Sequence, residues 1–505
     1  MPELIAFDND IYLREQTRAI LKRVEGFGCK LYLEFGGKLF FDHHAARVLP
    51  GYDPNVKIRL LHELRDQAQI ILCIHAGAIE QKKMRADFGI TYDTDALKLI
   101  DDLRRWEIEL CAVVITRYED QPGALIFKNK LERRGVPVHT HRPTRGYPTD
   151  VDTIVSDRGY GANACIPTTK PLVVVTGPGP GSGKLATCLS QIYHDHANGL
   201  TAGYAKFETF PIWNLPLNHP VNIAYEAATA DLGDVNMLDP FHMEAYGTAT
   251  VNYNRDIEAF PIVRKILRHI SGRETLYRSP TDMGVNRMSQ GIVNDEAARR
   301  AAGEEVIRRH FRYASEYAMG FVDKPTVERS TRLLEMLRLN PEDRKVVRPA
   351  RQAAQEARTS GKGHDDIYCG AAIAMPDGSL ITGKNSPLMH AASSLILNAA
   401  KQLAGVPDQI HILSPMITES VARLKNDILS SKNASLDLDE TLIAMSISAT
   451  SNPTAQLCLE KLKELRGCDV HMTHMPTPGD EVGLRRLGLH LTTDPNFATN
   501  DLYIL

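Results

Sequence analysis

Residues 172–187 read LVVVTGPGPGSGKLAT, and their order suits phosphate binding. Leu172–Val175 is a short apolar run rich in β-branched residues, the pattern of a buried strand. Gly177, Gly179, Gly181 and Gly183 follow, interleaved with Pro178, Pro180 and Ser182. Lys184 comes next, and Leu185–His194 can run as a helix. Exposed N–H groups at a helix start carry partial positive charge and point at an anion. Glycine lets the backbone approach closely and adopt positive φ. The expected contacts are backbone N–H groups from Gly179 to Gly183, charge pairing by Lys184, and hydroxyls from Thr176, Ser182 or Thr187. The loop departs from the G-x-x-x-x-G-K-[ST] pattern. Pro178 stands where the first glycine belongs, with Gly177 one residue early. Leu185 replaces the hydroxyl that usually holds magnesium, and Thr187 lies one helical turn beyond Lys184.

Other residues compete for chemistry. His75-Ala76-Gly77-Ala78 ends the strand Ile70–Ile74 and reads chiefly as a turn. Asp231, Asp234, Asp239, His242 and Glu244 follow the loop. One or two such carboxylates would hold the Mg²⁺ that accompanies a polyphosphate. Solvated loop charge and turn formation explain them better. Asp42-His43-His44 and His364-Asp365-Asp366 adjoin turns, and adjacent histidines seldom share one metal. No metal site is expected, and no catalytic residue is identified. Ser279–Asn286 is a polar loop that can cap a cleft through Asp282 and Asn286.

These residues need a scaffold. The 505-residue chain is too long for one core. Three domains are expected: an α/β domain with the phosphate-binding-like loop over 1–255, a mostly helical domain over 256–360, and an α/β domain over 361–505. Residues 1–150 alternate short apolar strands with helices, which argues for a parallel sheet covered by helices on both faces. Val151–Ser156 and Pro171–Thr176 read as further strands of that sheet. The glycine loop then sits at a strand's carboxyl end, where open α/β sheets bind ligands. Residues 199–255 read as long loops, and Arg351–Gly363 as a linker. Apolar stripes over Ile292–Gly320 and Thr326–Leu339 would serve as a surface between copies of a homo-oligomer.

A net charge of −3 gives no electrostatic case for nucleic acid or an anionic membrane. No stretch approaches a membrane span. Eight scattered cysteines without a C-x-x-C pair fit a reducing cytoplasm. The start carries Asp8, Asp10, Arg14 and Glu15, unlike a signal peptide.

In the C-terminal part, Pro376-Asp377-Gly378 between Tyr368–Ala374 and Ser379–Gly383 predicts a hairpin. A helix over Leu388–Leu403 and a strand over Gln409–Leu413 follow. The run from Cys369 to Gly405 resembles the core of a cytidine-deaminase-type fold, where a hairpin leads into a helix opening with His-Ala-Glu. His390, Ala391 and Ala392 stand at those positions, so the glutamate that would move protons is absent. The P-C-x-x-C pair is absent too, with Ser414-Pro415-Met416 near its place. The resemblance implies a deaminase-like shape without zinc hydrolysis.

Taken whole, the chain resembles an uncharacterised bacterial family known as a domain of unknown function. The residues are Ile5–Asp10, Arg85–Asp93, Thr176–Lys184 and the C-terminal hairpin–helix. That resemblance implies a cytosolic protein without an assigned activity. From the residues themselves, the first reading is a protein that binds a nucleotide, with Mg²⁺, or another phosphorylated small molecule, and carries out ATP-dependent or phosphoryl-transfer chemistry. The alternative is a non-catalytic ligand sensor or scaffold. A Rossmann-type oxidoreductase ranks last, because Ser182 breaks the G-x-G-x-x-G form.

Overall fold

A computed structural model describes residues 5–85, 89–431 and 433–499. Its residues group into two compact units, one running to Ala302 and the other from Gly303. Within the segment Arg85–Asp93, residues 86–88 lie outside the described residues.

The first unit is built on seven parallel strands. In chain order they are β1 (Lys30–Phe35), β2 (Ala68–His75), β3 (Leu110–Thr116), β4 (Val138–His141), β5 (Leu172–Thr176), β6 (Ala202–Phe207) and β7 (Gly284–Val285). Their spatial order is β7-β6-β1-β5-β2-β3-β4. The central strands are fully buried, which is why they read as continuous apolar runs rather than alternating ones. Alternate residues still face opposite layers. Ile71 and Cys73 pack with Val173, Val175 and the helix Lys184–Ala197, while Leu72 and Ile74 pack with the helices Tyr92–Arg105 and Pro122–Glu132. Helices therefore cover both faces, as a parallel sheet requires.

Several local expectations change. Val151–Ser156 forms no strand: Val151–Ile154 is a short helix capped by Asp150. The stretch 199–255 is not a run of loops. It holds β6, the helix Pro220–Ala228 and an antiparallel ribbon of Asn236–Leu238 with Val251–Tyr253. The sequence of β6, AGYAKF, hides it, because small residues and a lysine dilute its apolar signal.

The second unit holds a four-stranded sheet of β8 (Gly370–Ala374), β9 (Leu380–Lys384), β10 (Asp469–Met472) and β11 (His490–Thr493), in the order β9-β8-β10-β11. The hairpin β8–β9 pairs as the turn predicts. β8 also runs antiparallel to β10, and β10 runs parallel to β11. Most of the expected linker is helix: Val347–Thr359 packs against β8. Its alanines 350, 353 and 357 form a buried stripe that reads as polar only because arginine and glutamine fill the other faces. Gln409–Leu413 forms no strand.

Among the described glycines of this unit, the closest approach to backbone atoms is at Gly370. A Cβ there would stand 2.2 Å from the Ala350 carbonyl oxygen and 2.5 Å from the Ala354 amide. Both are backbone atoms and cannot rotate away. Gly370→Ala is therefore expected to cost about 1–3 kcal/mol or more through overpacking. Urea denaturation followed by circular dichroism should show the midpoint falling, and an unchanged midpoint would contradict the close approach.

Candidate functional site

The glycine loop occupies the carboxyl edge of the parallel sheet, between β5 and the 14-residue helix Lys184–Ala197. Gly183 is the N-cap and has φ +88°. A Cβ on it would lie 2.7 Å from the Thr116 methyl, so both torsion and space demand glycine. A Cβ on Gly177 would meet Ser182 Oγ at 2.4 Å and the Cys73 carbonyl at 2.5 Å. Thr116, last in β3, donates its hydroxyl to the Ser182 carbonyl at 2.8 Å, tying the loop to a second strand.

This brings Thr176, Gly177, Gly179, Gly181, Ser182, Gly183 and Lys184 together along one turn of chain. No described residue accepts a hydrogen bond from the amides of Gly179, Gly181 or Gly183. Ser182 is buried, and its Oγ lies 3.5 Å from Lys184 Nζ. Thr176 is 1% exposed, and its hydroxyl has no hydrogen-bond partner. Thr187 is fully buried, and its hydroxyl accepts from Cys73 Sγ at 3.4 Å.

Positive groups gather around the loop. His75 caps the short helix Ala76–Glu80, its Nδ1 accepting from the Ala78 amide at 3.1 Å. Burial, then Arg117 and Lys83, hold its pKa below the ordinary histidine value, which keeps that nitrogen an acceptor. Arg117 directly follows Thr116, and Lys83 lies 5.7 Å from the centroid of the Tyr92 ring. The Tyr92 hydroxyl lies 2.7 Å from the Cβ position of Gly179. Cys73 and Cys188 lie beneath the loop. Burial pushes the Cys73 thiol up to about 12 and the Cys188 thiol well above its ordinary value, so neither supplies a thiolate.

A buried ionic cluster lies at the ends of β1 and β6, where sequence spacing carried no signal. Lys206 reaches Asp256 at 2.5 Å, Glu208 at 2.9 Å and the Tyr253 hydroxyl. Tyr253 donates to Glu208 at 2.7 Å, and Tyr204 donates to Glu34 at 2.7 Å. Burial opposes the Lys206 charge, but Asp256, Glu208 and Glu34 outweigh it and raise the lysine's pKa. Burial pushes Glu208 up to about 7; Lys206 pulls it down and Asp256 adds to the rise. The Gly36-Gly37 turn after β1 packs against Glu208 and the buried pair Lys57–Asp42, whose charges are 2.7 Å apart. A glutamate that exchanges a proton near neutrality is suited to general acid–base work. A signal for this cluster was available: a lysine and a glutamate at alternate positions of an otherwise apolar segment.

The other candidates have structural tasks. Asp234 pairs with Arg255 at 2.5 Å, and Asp239 caps Pro240–Tyr246 while accepting from Thr281. His242 meets Ser279 at 2.8 Å, and Asp231 and Glu244 are exposed. Asp42 caps His43–Val48, and His364 sits in a turn with Ile367. Asn286 holds the Thr209 and Pro211 carbonyls. Among the described residues, no group of three or more His, Cys, Asp or Glu is placed to hold a metal ion. No described helix is long and apolar enough to cross a membrane.

In the second unit, His390 stands at the N-cap of the helix Ala391–Ala404. Its Nδ1 meets Asp480 at 2.8 Å, and its Nε2 meets the Asn433 amide nitrogen at 3.2 Å. Asp480 also accepts from the Leu438 amide and the Thr477 hydroxyl, which orients it. Burial lowers the histidine's pKa, but the Asp480 hydrogen bond and charge win and raise it.

The Glu208 shift has a signed consequence. Burial lifts the carboxyl's pKa to about 7, above the ordinary glutamate value of 4.5, so the folded state binds more protons between those values. This group's contribution to stability is full below pH 4.5 and is lost as pH rises through about 7. Denaturation of Glu208→Gln from pH 4 to 8 should show a shallower fall in stability toward high pH than the parent chain; an identical slope would remove Glu208 as the source.

Comparison with known proteins covers almost the full length. Residues 5–338 match the domain of unknown function DUF1846, N-terminal, and residues 342–503 match its C-terminal counterpart. A UPF0371 protein of Clostridium botulinum (strain Alaska E43 / Type E3) is 54% identical over 499 residues, covering 99% of each chain. A UPF0371 protein of Clostridium tetani (strain Massachusetts / E88) is 53% identical over 499 residues, again 99% of each. The chain belongs to the DUF1846 family, whose function is unknown.

Proposed function

We propose that the 176–184 loop binds the phosphate of a nucleotide or other phosphorylated small molecule. The observation that carries this reading is the set of Gly179, Gly181 and Gly183 amides without an acceptor among the described residues, at the start of a 14-residue helix. Helix N-termini stabilise anions through these donors and the aligned peptide dipoles. Lys184 supplies the full charge, and Arg117 and Lys83 extend the positive field toward His75. The loop works as a P-loop-like cradle, without the hydroxyl that normally follows the lysine. In phosphoryl transfer the protein mostly positions groups and neutralises charge.

The second reading is a non-catalytic ligand sensor or scaffold. It is favoured by Ala392, which stands where a deaminase-type helix would carry its glutamate. The hairpin Gly370–Lys384 followed by a helix that opens at His390 supports this reading of a deaminase-like domain without that chemistry. Cysteines that are all free support a reducing, cytoplasmic setting.

A thermal-shift series with nucleotides, sugar phosphates and inorganic phosphate, with and without Mg²⁺, tests the loop. A ligand at about 100 times its Kd stabilises its domain by about 2.7 kcal/mol, a shift of a few degrees. Lys184→Ala should abolish that shift. A shift that survives the substitution, or none with any phosphate compound, would demote the loop to a structural turn. Mg²⁺-dependent turnover lost in Lys184→Ala selects the enzyme, and binding without turnover selects the sensor.

A further inference from the structure

Beside the glycine loop, on the face of the sheet covered by the helix Tyr92–Arg105, lies a small pocket open to solvent. It is lined by Lys38, Phe40, Phe41, Asp95, Lys98 and Thr176, and it continues onto Gly177 and Pro178 of the loop. Its wall is both aromatic and polar. Lys98 stands 4.3 Å from the centroid of the Phe41 ring and reaches Asp102 at 2.5 Å. Asp95 is 5% exposed. Phe41 is held at φ +53°, with its amide donating to Asn55 Oδ1 at 3.1 Å, so the backbone accepts strain to keep the ring in place. The Thr176 hydroxyl adds the decisive detail: it is buried in the pocket-lining strand end without a partner, and such a group costs free energy until a ligand supplies one.

We infer that this pocket receives the base of a nucleotide whose phosphates lie on the glycine loop. The inference rests on the loop reading above and names the substrate class. An inorganic phosphate or polyphosphate has no use for an aromatic wall. A simple carboxylate has no use for Asp95 and Asp102. A planar heterocycle uses all three: it stacks on Phe41, it accepts from Lys38 or the Thr176 hydroxyl, and it donates to a carboxylate. The pocket and the loop share Thr176 and Gly177, so one ligand spans both.

Equilibrium titration of the full chain with tripolyphosphate, the four common ribonucleoside triphosphates and ribose 5-phosphate tests this. At least one nucleoside triphosphate should bind about tenfold tighter than tripolyphosphate, the scale of one base stacked on an aromatic ring. Phe41→Leu should reduce that ratio toward one. Thr176→Val should reduce it too, with no loss of thermal stability, because the hydroxyl has no internal bond to lose. Lys184→Ala should weaken tripolyphosphate and nucleotides alike. Equal binding of tripolyphosphate and nucleotides overturns the base pocket and leaves the loop standing. Ribose 5-phosphate binding as tightly as the nucleotides also overturns it. Nucleotide binding that depends on Phe41 and ignores Lys184 overturns the loop and keeps the pocket. Absence of binding by every compound overturns both.

Discussion

Parallel pairing of the Leu172–Thr176 strand, between Lys30–Phe35 on one side and Ala68–His75 on the other, is the constraint from which the site follows. Parallel strands end at the same edge, so the chain must leave all of them there. Gly36-Gly37, His75-Ala76-Gly77, Thr116-Arg117, the glycine loop and Glu208-Thr209 are therefore neighbours, although they span more than a third of the sequence. The helix after the glycine loop must turn back across the sheet, which aims its N-terminus at that edge. The Thr116 hydroxyl on the Ser182 carbonyl then fixes the loop against a strand two places away.

The same edge concentrates charge that the interior must neutralise. Lys57 is fully buried against Asp42, and Lys206 lies among Glu208, Asp256 and Tyr253. Removing one partner of such a pair leaves a buried charge uncompensated, typically about 3–5 kcal/mol. These groups make the end of the sheet rigid and polar at once. The second unit uses the same device at His390–Asp480, where the carboxylate is oriented by the Leu438 amide and the Thr477 hydroxyl.

Much of the scaffold was legible in local pattern. The alternation of short apolar strands and helices read over residues 1–150 is present in the fold, with the helix Asn9–Phe27, capped by Asp8, and the strand Leu110–Thr116 among its elements. The hairpin around Pro376-Asp377-Gly378 forms as its turn chemistry requires. Failures fall where tertiary contacts outweigh composition. β6 is a central strand whose glycine leaves room for the Phe27 ring, and Val347–Thr359 is a helix whose buried face is mostly alanine. Neither shows enough branched apolar residues to be recognised in isolation. The acids were sought just after the loop, at Asp231, Asp234 and Asp239. The carboxylates grouped around Lys206 instead come from Glu34 on β1, Glu208 just after β6 and Asp256 on the helix Asn254–Ser271.

The sequence alone determined the glycine loop, because strand, glycines, lysine and helix are contiguous residues and φ freedom is a local property. It also determined that the N-terminal sheet is parallel, since short apolar strands alternating with helices leave few other ways to bury both faces. Tertiary structure decided which side chains surround the loop. Strand order placed β1 and β2 beside β5, and burial tuned Glu208 and the thiols. It also left the Thr176 hydroxyl unpaired beside an aromatic pocket. These are properties of distance and dielectric between residues far apart in the chain, and no window of sequence contains them.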